Sequence, residues 1–314
     1  MKAAYLAQRA GPEGLVLGEL PEPEPGREEV LVRVHATAVT PTEFDWFPTF
    51  KTRKGDPRPF PIVLSHEFCG VVAKTGDLVH ALRAGDAVYG MNDWFANGAQ
   101  AEYCVAPAAA LALKPTTLDD MKTAAIPISA LTAWQGLFDR CKLKAGERVL
   151  IHGGAGAVGL FAVQLAHWRG ADVLATASTS TTDFVRSLGA DEVIDYKTTP
   201  FETRARGIDV IFDIVGGETL TRSWSVLGPR GRLVTIAAQS ETRSDPRARD
   251  AFFIVEPHLE QLTEVSRLLD AGIIRGFVDE VFDLEQAREA YVRAQCGGRR
   301  GKVALRVSEA ASTS

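Results

Sequence analysis

The first hundred or so residues alternate. EEVLVRVHATAVT sets Val30, Val32 and Val34 against Arg33 and His35, the two-residue period of a half-buried strand. GDAVYG and AQAEYCVAP are further short strands between Gly, Pro and Asn, so this part reads as β-rich with irregular loops. The pattern changes near Leu118. DDMKTAAIPISALTAWQGLF has helical spacing, and the next segment runs strand (RVLIH), glycine turn, helix and strand. In that helix Val158, Phe161, Ala162 and Leu165 fall at i, i+3, i+4 and i+7, which predicts one face packed on a sheet. DFVRSLGADEVIDY, GIDVIFDIVG and PRGRLVTIAA continue the alternation of helices and apolar strands, as in a parallel sheet covered on both faces. A helix in HLEQLTEVSRLLDAG, the segment FVDEVFDLEQAREAYVRA and a strand in GKVALRV follow, and these are expected to return to the first, β-rich part. The small polar tail SEAASTS reads as frayed.

Composition narrows the class. A chain of 314 residues, 46% apolar, suits about two domains of roughly 100–200 residues each. Thirty-five Lys and Arg against 40 Asp and Glu, with no basic block, argue against a nucleic-acid partner. No apolar run approaches the roughly 20 residues of a membrane span, and MKAAYLAQRAG lacks the layout of a secretory signal. Cys69, Cys104, Cys141 and Cys296 are scattered with no CxxC pair, so a cytoplasmic, reducing compartment is expected.

The sharpest local signal is Gly154-x-Gly156-x-x-Gly159 between RVLIH and its helix. In such a turn the first glycine permits the bend, the second admits a pyrophosphate and the third lets helix and strand approach. The helix N-terminus adds free amides and partial positive charge. An NAD site places Asp or Glu about 20 residues further on; here that place falls in LATASTSTT, at Ser178. A hydroxyl does not repel a 2′-phosphate, which favours NADP(H), unless Asp183 or Asp195 reaches back.

With PIVLSHEFCGVV, GDAVYG, AEYCVAP, AGERVLIHGGAGAVGLFAVQLA, LGADEVIDY and GGRRGKVALRV in this order, the chain resembles the medium-chain dehydrogenase/reductase superfamily, and within it the zinc-free, zeta-crystallin-like quinone oxidoreductases. The resemblance implies an α/β protein with a GroES-like β-rich catalytic domain (1–118 and 256–314), a Rossmann doubly wound parallel sheet (119–255), and the active site in the cleft between them. It puts Thr132 and the amides of Ala157 and Val158 on the cofactor phosphates, and Ser178 and Tyr196 beside the adenosine 2′-phosphate. Val215, Ala237 and the backbone of Phe253 and Val255 would line the nicotinamide half, with Lys302 close to the cofactor. AFFIVEP corresponds to a strand that joins sheets across a homodimer. One departure counts against NADP(H): where many relatives carry a cation after the second strand, this chain has Ser180, Thr181 and Thr182.

His66-Glu67 is the pair that zinc-dependent members use at their metal, but their upstream cysteine is replaced by Thr40, whose hydroxyl is a poor zinc ligand. GMNDWFANGAQAEY also lacks the four-cysteine structural lobe, so no metal is expected. His66 is then either a proton relay at the pocket or a holder of Glu67 and its loop, and Thr40 is a hydrogen-bond donor to an acceptor oxygen. The remaining histidines show no ligand spacing and read as solvated or locally bonded. Trp46, Phe47, Phe50 and Phe60, followed by Asn92 and Trp94, suggest a flat apolar pocket, several of them also serving the core. The expected activity is zinc-independent hydride transfer from NADP(H) to a quinone or α,β-unsaturated carbonyl. The alternatives are an enoyl-thioester reductase and a non-catalytic NADP(H)-binding interaction protein on the same fold.

Overall fold

The computed structural model describes residues 1–237 and 245–308; the tail predicted to fray lies, beyond Ser308, outside the described residues. Fifteen strands are named among them. β1 (Lys2–Leu6), β2 (Leu15–Glu19), β3 (Glu29–Ala38), β4 (Ile62–Val63), β5 (Glu67–Thr75), β6 (Ala87–Met91), β7 (Tyr103–Pro107) and β8 (Leu111–Leu113) come first. β9 (Arg148–His152), β10 (Asp172–Ala177), β11 (Glu192–Asp195), β12 (Ile208–Asp213) and β13 (Leu227–Thr235) follow, and β14 (Val278–Asp283) and β15 (Lys302–Arg306) close the chain. The helices are α1 (Phe47–Phe50), α2 (Asp120–Ala124), α3 (Pro127–Trp134), α4 (Ala157–Trp168), α5 (Thr182–Ser187), α6 (Gly217–Ser223), α7 (Pro246–Ala251), α8 (Leu259–Asp270) and α9 (Ala287–Gln295).

The N-terminal strands build a small sheet ordered β2-β1-β4 and a larger one ordered β14-β15-β3-β5-β6-β8, with β7 also paired to β3. β15 pairs antiparallel with β3 through Ala304–Ala38 and Leu305–Thr37, which returns the C-terminal segment to the β-rich unit. β3 is more buried than its alternation predicts. Val30, Val32 and Val34 pack with Phe68, Val72, Val88 and Leu111, whereas Ala36 joins Cys69, Tyr89 and Met91 in a core continuous with α3 and α4. Each fully buried Val or Leu of this kind contributes about 1.5–3 kcal/mol. Of the two expectations for His35, solvated or locally bonded, the structure has it buried and bonded, with Nδ1 2.8 Å from Oδ2 of Asp120 on α2, a partner distant in sequence.

The middle of the chain forms a five-stranded sheet ordered β11-β10-β9-β12-β13, parallel throughout. The run predicted as one helix is broken, because Pro127 has no N–H to donate and its ring disfavours the preceding turn. α2 ends at Ala124 and α3 starts at Pro127. α4 is buried from Gly159 to Ala166 rather than on one face, since α3 lies against the side turned away from the sheet. AFFIVEP is also not the strand expected. Its first residue closes α7, Phe252 makes one isolated parallel bridge to Thr235, and Phe253 N–H donates to the Thr235 carbonyl at 3.2 Å.

His152, at the end of β9, is fully buried between Thr176 Oγ1 (3.3 Å) and Ser223 Oγ (3.0 Å). Burial pulls its imidazole down to about 4. The unfolded chain then binds the extra proton first, so stability falls as pH drops from about 6.5 to about 4, by on the order of 3 kcal/mol if fully expressed. Urea unfolding across this window should show that loss, and His152→Gln should flatten it.

Candidate active site

The glycine turn after β9 divides its tasks differently from the simple motif. The bend is made by Gly153, with φ at +79°, outside the GxGxxG triplet. A Cβ on Gly154 would sit 3.0 Å from Val185 and 3.1 Å from Ala175, so this glycine is needed for packing. A Cβ on Gly159 would lie 2.1 Å from the Gly153 carbonyl oxygen, which fixes the third glycine as the helix-to-strand contact. Gly156 is the N-cap of α4, and a Cβ there would meet only the Gly153 oxygen at 3.4 Å. Folding leaves that position open, as a turn facing a ligand requires. The amides of Ala157, Val158 and Gly159 have no acceptor among the described residues. Free amides, an open glycine and the positive end of a 12-residue helix fit a pyrophosphate.

Next to this turn lies a cavity of about 250 Å³, lined by Gly153, Gly156, Ser178, Thr181 and Tyr196 on one side and by the loop Cys296–Gly301 on the other. Ser178 Oγ is 3.0 Å from Thr181 Oγ1, and Tyr196 is 58% exposed. Neither acid that would favour NAD faces the cavity. Asp195 accepts from Thr179 Oγ1 (2.6 Å) and the Lys197 amide (3.0 Å), and Asp183 pairs with Arg186 at the surface. Thr132 is buried within α3, and its hydroxyl donates to its own helix at the Ile128 carbonyl (2.6 Å).

Toward the expected nicotinamide side, Val215 is 50% exposed and Ala237 buried. Asp213 shapes the loop between them by accepting from Thr235 Oγ1 (2.7 Å) and the amides of Val215 (3.2 Å) and Gly216 (3.0 Å). The Phe253 and Val255 side chains are buried. The Val255 carbonyl accepts from Trp94 Nε1 at 3.1 Å, and Gln135 clamps both the amide (3.0 Å) and the carbonyl (2.8 Å) of Glu256. Trp46 meets Trp94 edge to face at 5.0 Å, so two aromatics expected in the pocket stand against the cofactor-side segment. Asn92 does not join them. It is fully buried, and its amide donates to the Asn97 carbonyl (2.7 Å), bracing the turn that carries Trp94.

The His66-Glu67 pair is split. On a strand successive side chains point to opposite faces. His66, 2% exposed, places Nδ1 2.6 Å from Oε1 of Glu43, not at Glu67. Glu43 also accepts from the Ser65 amide (2.8 Å) and the Tyr291 hydroxyl (3.0 Å). These bonds hold Ser65 at φ +64°, a backbone cost of roughly 1–3 kcal/mol. Beside Glu43, burial drives the Tyr291 phenol well above its ordinary pKa. Glu67 faces the other way. One carboxylate oxygen accepts from the Ile128 amide (2.9 Å) at the start of α3, and the other pairs with Lys302. Burial pushes the Glu67 carboxyl up, opposed by Lys302 and by the Ile128 amide. Lys302 also donates to Thr40 Oγ1 at 3.2 Å. An ammonium has only donors, so Thr40 is the acceptor there and its own O–H is free to donate elsewhere.

These residues do not fit a zinc ion. A resident ammonium occupies the space between Thr40 and Glu67, and His66 is committed to Glu43. Among the described residues no group of three or more His, Cys, Asp or Glu is arranged for a metal. Sequence reasoning missed Glu43, Tyr291 and Gln135. A lone acid between Thr42 and Phe44 was the only trace of the first.

A GroES-like unit set against a parallel sheet, with a phosphate-type glycine turn at the cleft, defines a two-domain nicotinamide-dependent oxidoreductase. Family models agree: the alcohol dehydrogenase GroES-like domain matches residues 26–116 and the zinc-binding dehydrogenase model residues 188–305. The chain is 33% identical to a probable zinc-binding oxidoreductase, mitochondrial, of Arthroderma benhamiae, over 93% of both chains. It is 30% identical to the quinone oxidoreductase of Mus musculus, over 97% of both. The quinone oxidoreductase of Coxiella burnetii superposes with a TM-score of 0.90 at 29% identity, covering 98% of this chain and 99% of that one. Mycobacterial Rv1454c, solved with NADPH, gives 0.81 at 28% identity, covering 98% and 100%. The protein belongs to the medium-chain dehydrogenase/reductase family, among its quinone oxidoreductases.

Two substitutions in the turn should separate folding from binding. Gly156→Asp should fold normally yet lose NADPH binding by calorimetry, because its carboxylate would meet the pyrophosphate. Gly159→Ala should cost about 1–3 kcal/mol of stability through the clash with the Gly153 carbonyl. Lys302→Met would leave Glu67 buried and uncompensated, and should lower unfolding free energy by about 3–5 kcal/mol in urea.

Proposed function

We propose that this oxidoreductase uses NADP(H) to reduce a quinone or an α,β-unsaturated carbonyl without a metal. The observation that carries the reading is the Thr40–Lys302–Glu67 arrangement, where a cation and a free hydroxyl stand in place of a metal and its thiolate ligand. The reduced nicotinamide, when bound, supplies a hydride. Gly156 and the amides of Ala157 and Val158 hold its pyrophosphate, Gly154 and Gly159 let the turn pack on sheet and helix, and Ser178 and Tyr196 stand toward the adenosine. Neutral hydroxyls at that end, with Asp195 tied to Thr179, favour NADP(H) over NAD(H).

Hydride addition to a conjugated acceptor leaves negative charge on a distant oxygen, and preorganised donors lower that barrier. Thr40, polarised by Lys302, donates to this oxygen. Trp46 and Trp94 supply flat walls that orient the acceptor and exclude water. His66 anchors the loop through Glu43 and is not itself in contact with the acceptor. The mouse and Coxiella relatives are both named quinone oxidoreductases, which supports this substrate class. The edge beyond β13, where Ile254 is half exposed, suits a second copy in a homodimer. The four free cysteines, three of them buried, suit a reducing cytoplasm. No helix among the described residues is long and apolar enough to cross a membrane.

Stopped-flow mixing of the NADPH complex with a panel of quinones, enones and enoyl thioesters tests the proposal. Rapid NADPH oxidation by quinones or enones, unchanged by chelator, is expected. A flat trace for every acceptor with NADPH bound would favour the non-catalytic alternative, and turnover confined to enoyl thioesters would replace the substrate class.

A further inference from the structure

The NADP(H) reading leaves a charge question: the loop after β10, beside Ser178, offers a 2′-phosphate no cation, because Ser180, Thr181 and Thr182 fill it. The opposite wall of the cavity is the loop between α9 and β15, with sequence Cys296-Gly-Gly-Arg299-Arg300-Gly301. Arg299 is the one charged side chain among the residues lining that cavity. Its Nε donates to the Cys296 carbonyl at 2.8 Å, and it enters no ion pair among the described residues. Partial burial pulls its guanidinium below the ordinary value, as expected for a charge held without a carboxylate against it, although Asp279 acts in the other direction.

The loop is built to stay there. Gly298 and Gly301 take φ of +76° and +96°, and a Cβ on Gly301 would lie 2.0 Å from the Phe277 carbonyl oxygen. Arg300 lies over the Phe184 ring of α5 at 5.4 Å, and Phe184 meets Phe277 edge to face at 5.0 Å. These contacts seat the loop beside the helix that follows Ser178.

We propose that Arg299 is the residue that selects NADP(H), reaching from the C-terminal loop of the GroES-like unit to pair with the 2′-phosphate opposite Ser178 and Tyr196. The cofactor's extra phosphate is then held by both units at once. A guanidinium offers paired donors to phosphate oxygens, which Ser and Tyr hydroxyls alone do not match in strength.

This rests on the NADP(H) reading above, and titration calorimetry separates the two. The wild-type protein, Arg299→Gln and Arg299→Lys would each be titrated with NADPH and with NADH, and with 2′,5′-ADP against 5′-AMP. Arg299→Gln should weaken NADPH and 2′,5′-ADP by roughly 10- to 100-fold and leave NADH and 5′-AMP unchanged, with partial recovery in Arg299→Lys. Equal loss for NADPH and NADH would assign Arg299 to the pyrophosphate and overturn the proposal, as would no loss for either. A wild-type protein with no preference for NADPH would instead sink the underlying cofactor reading.

Discussion

The buried pair of Glu67 and Lys302 is the constraint on which the rest of the structure depends. It joins β5, near the start of the chain, to β15 at its end, and the same carboxylate receives the Ile128 amide at the start of α3. α3 has no side-chain cap of its own, since Ile126 stands at its N-cap. A carboxylate from another strand fills that role and also complements the helix dipole. Two buried charges are costly unless each is fully partnered, and here the amide, the ammonium and Thr40 share the partnering. The pin that closes the β-rich unit thus aims the helix leading into the parallel sheet.

That geometry also sets the chemistry. His66, just before β5, and Glu67, its first residue, turn to different sides, so they serve two separate networks, one centred on Glu43 and one on Lys302. The first holds the strained Ser65 and the loop under Trp94, whose indole reaches the Val255 carbonyl. The second leaves the Thr40 proton available. Through these two networks the pair keeps the cleft walls in register.

Much of the fold was legible. The switch from a period of two to alternating apolar strands and helices marks the change from antiparallel to parallel sheet, because a strand covered on both faces cannot afford polar alternation. The glycine turn was legible for the same local reason, although the residue with positive φ proved to be Gly153. Two misreadings share a cause. His35 was expected to be solvated or locally bonded and α4 to be covered on one face, yet each meets an element distant in sequence, α2 against His35 and α3 against α4; Asn92 instead turns to the Asn97 carbonyl five residues on.

By itself the sequence determined what depends on spacing along the chain: the order of elements, the dinucleotide-type turn, the lack of a thiolate at position 40 and the hydroxyl at position 178. The tertiary structure alone decided which partner each polar side chain takes. Glu43 finds Tyr291 across 248 residues and Thr40 finds Lys302 across 262. The loop around Arg299 meets the Ser178 side of the cavity beside the glycine turn because β15 closes against β3. A buried charge must be matched by whatever group the fold brings within hydrogen-bond reach, and that proximity has no period in the sequence.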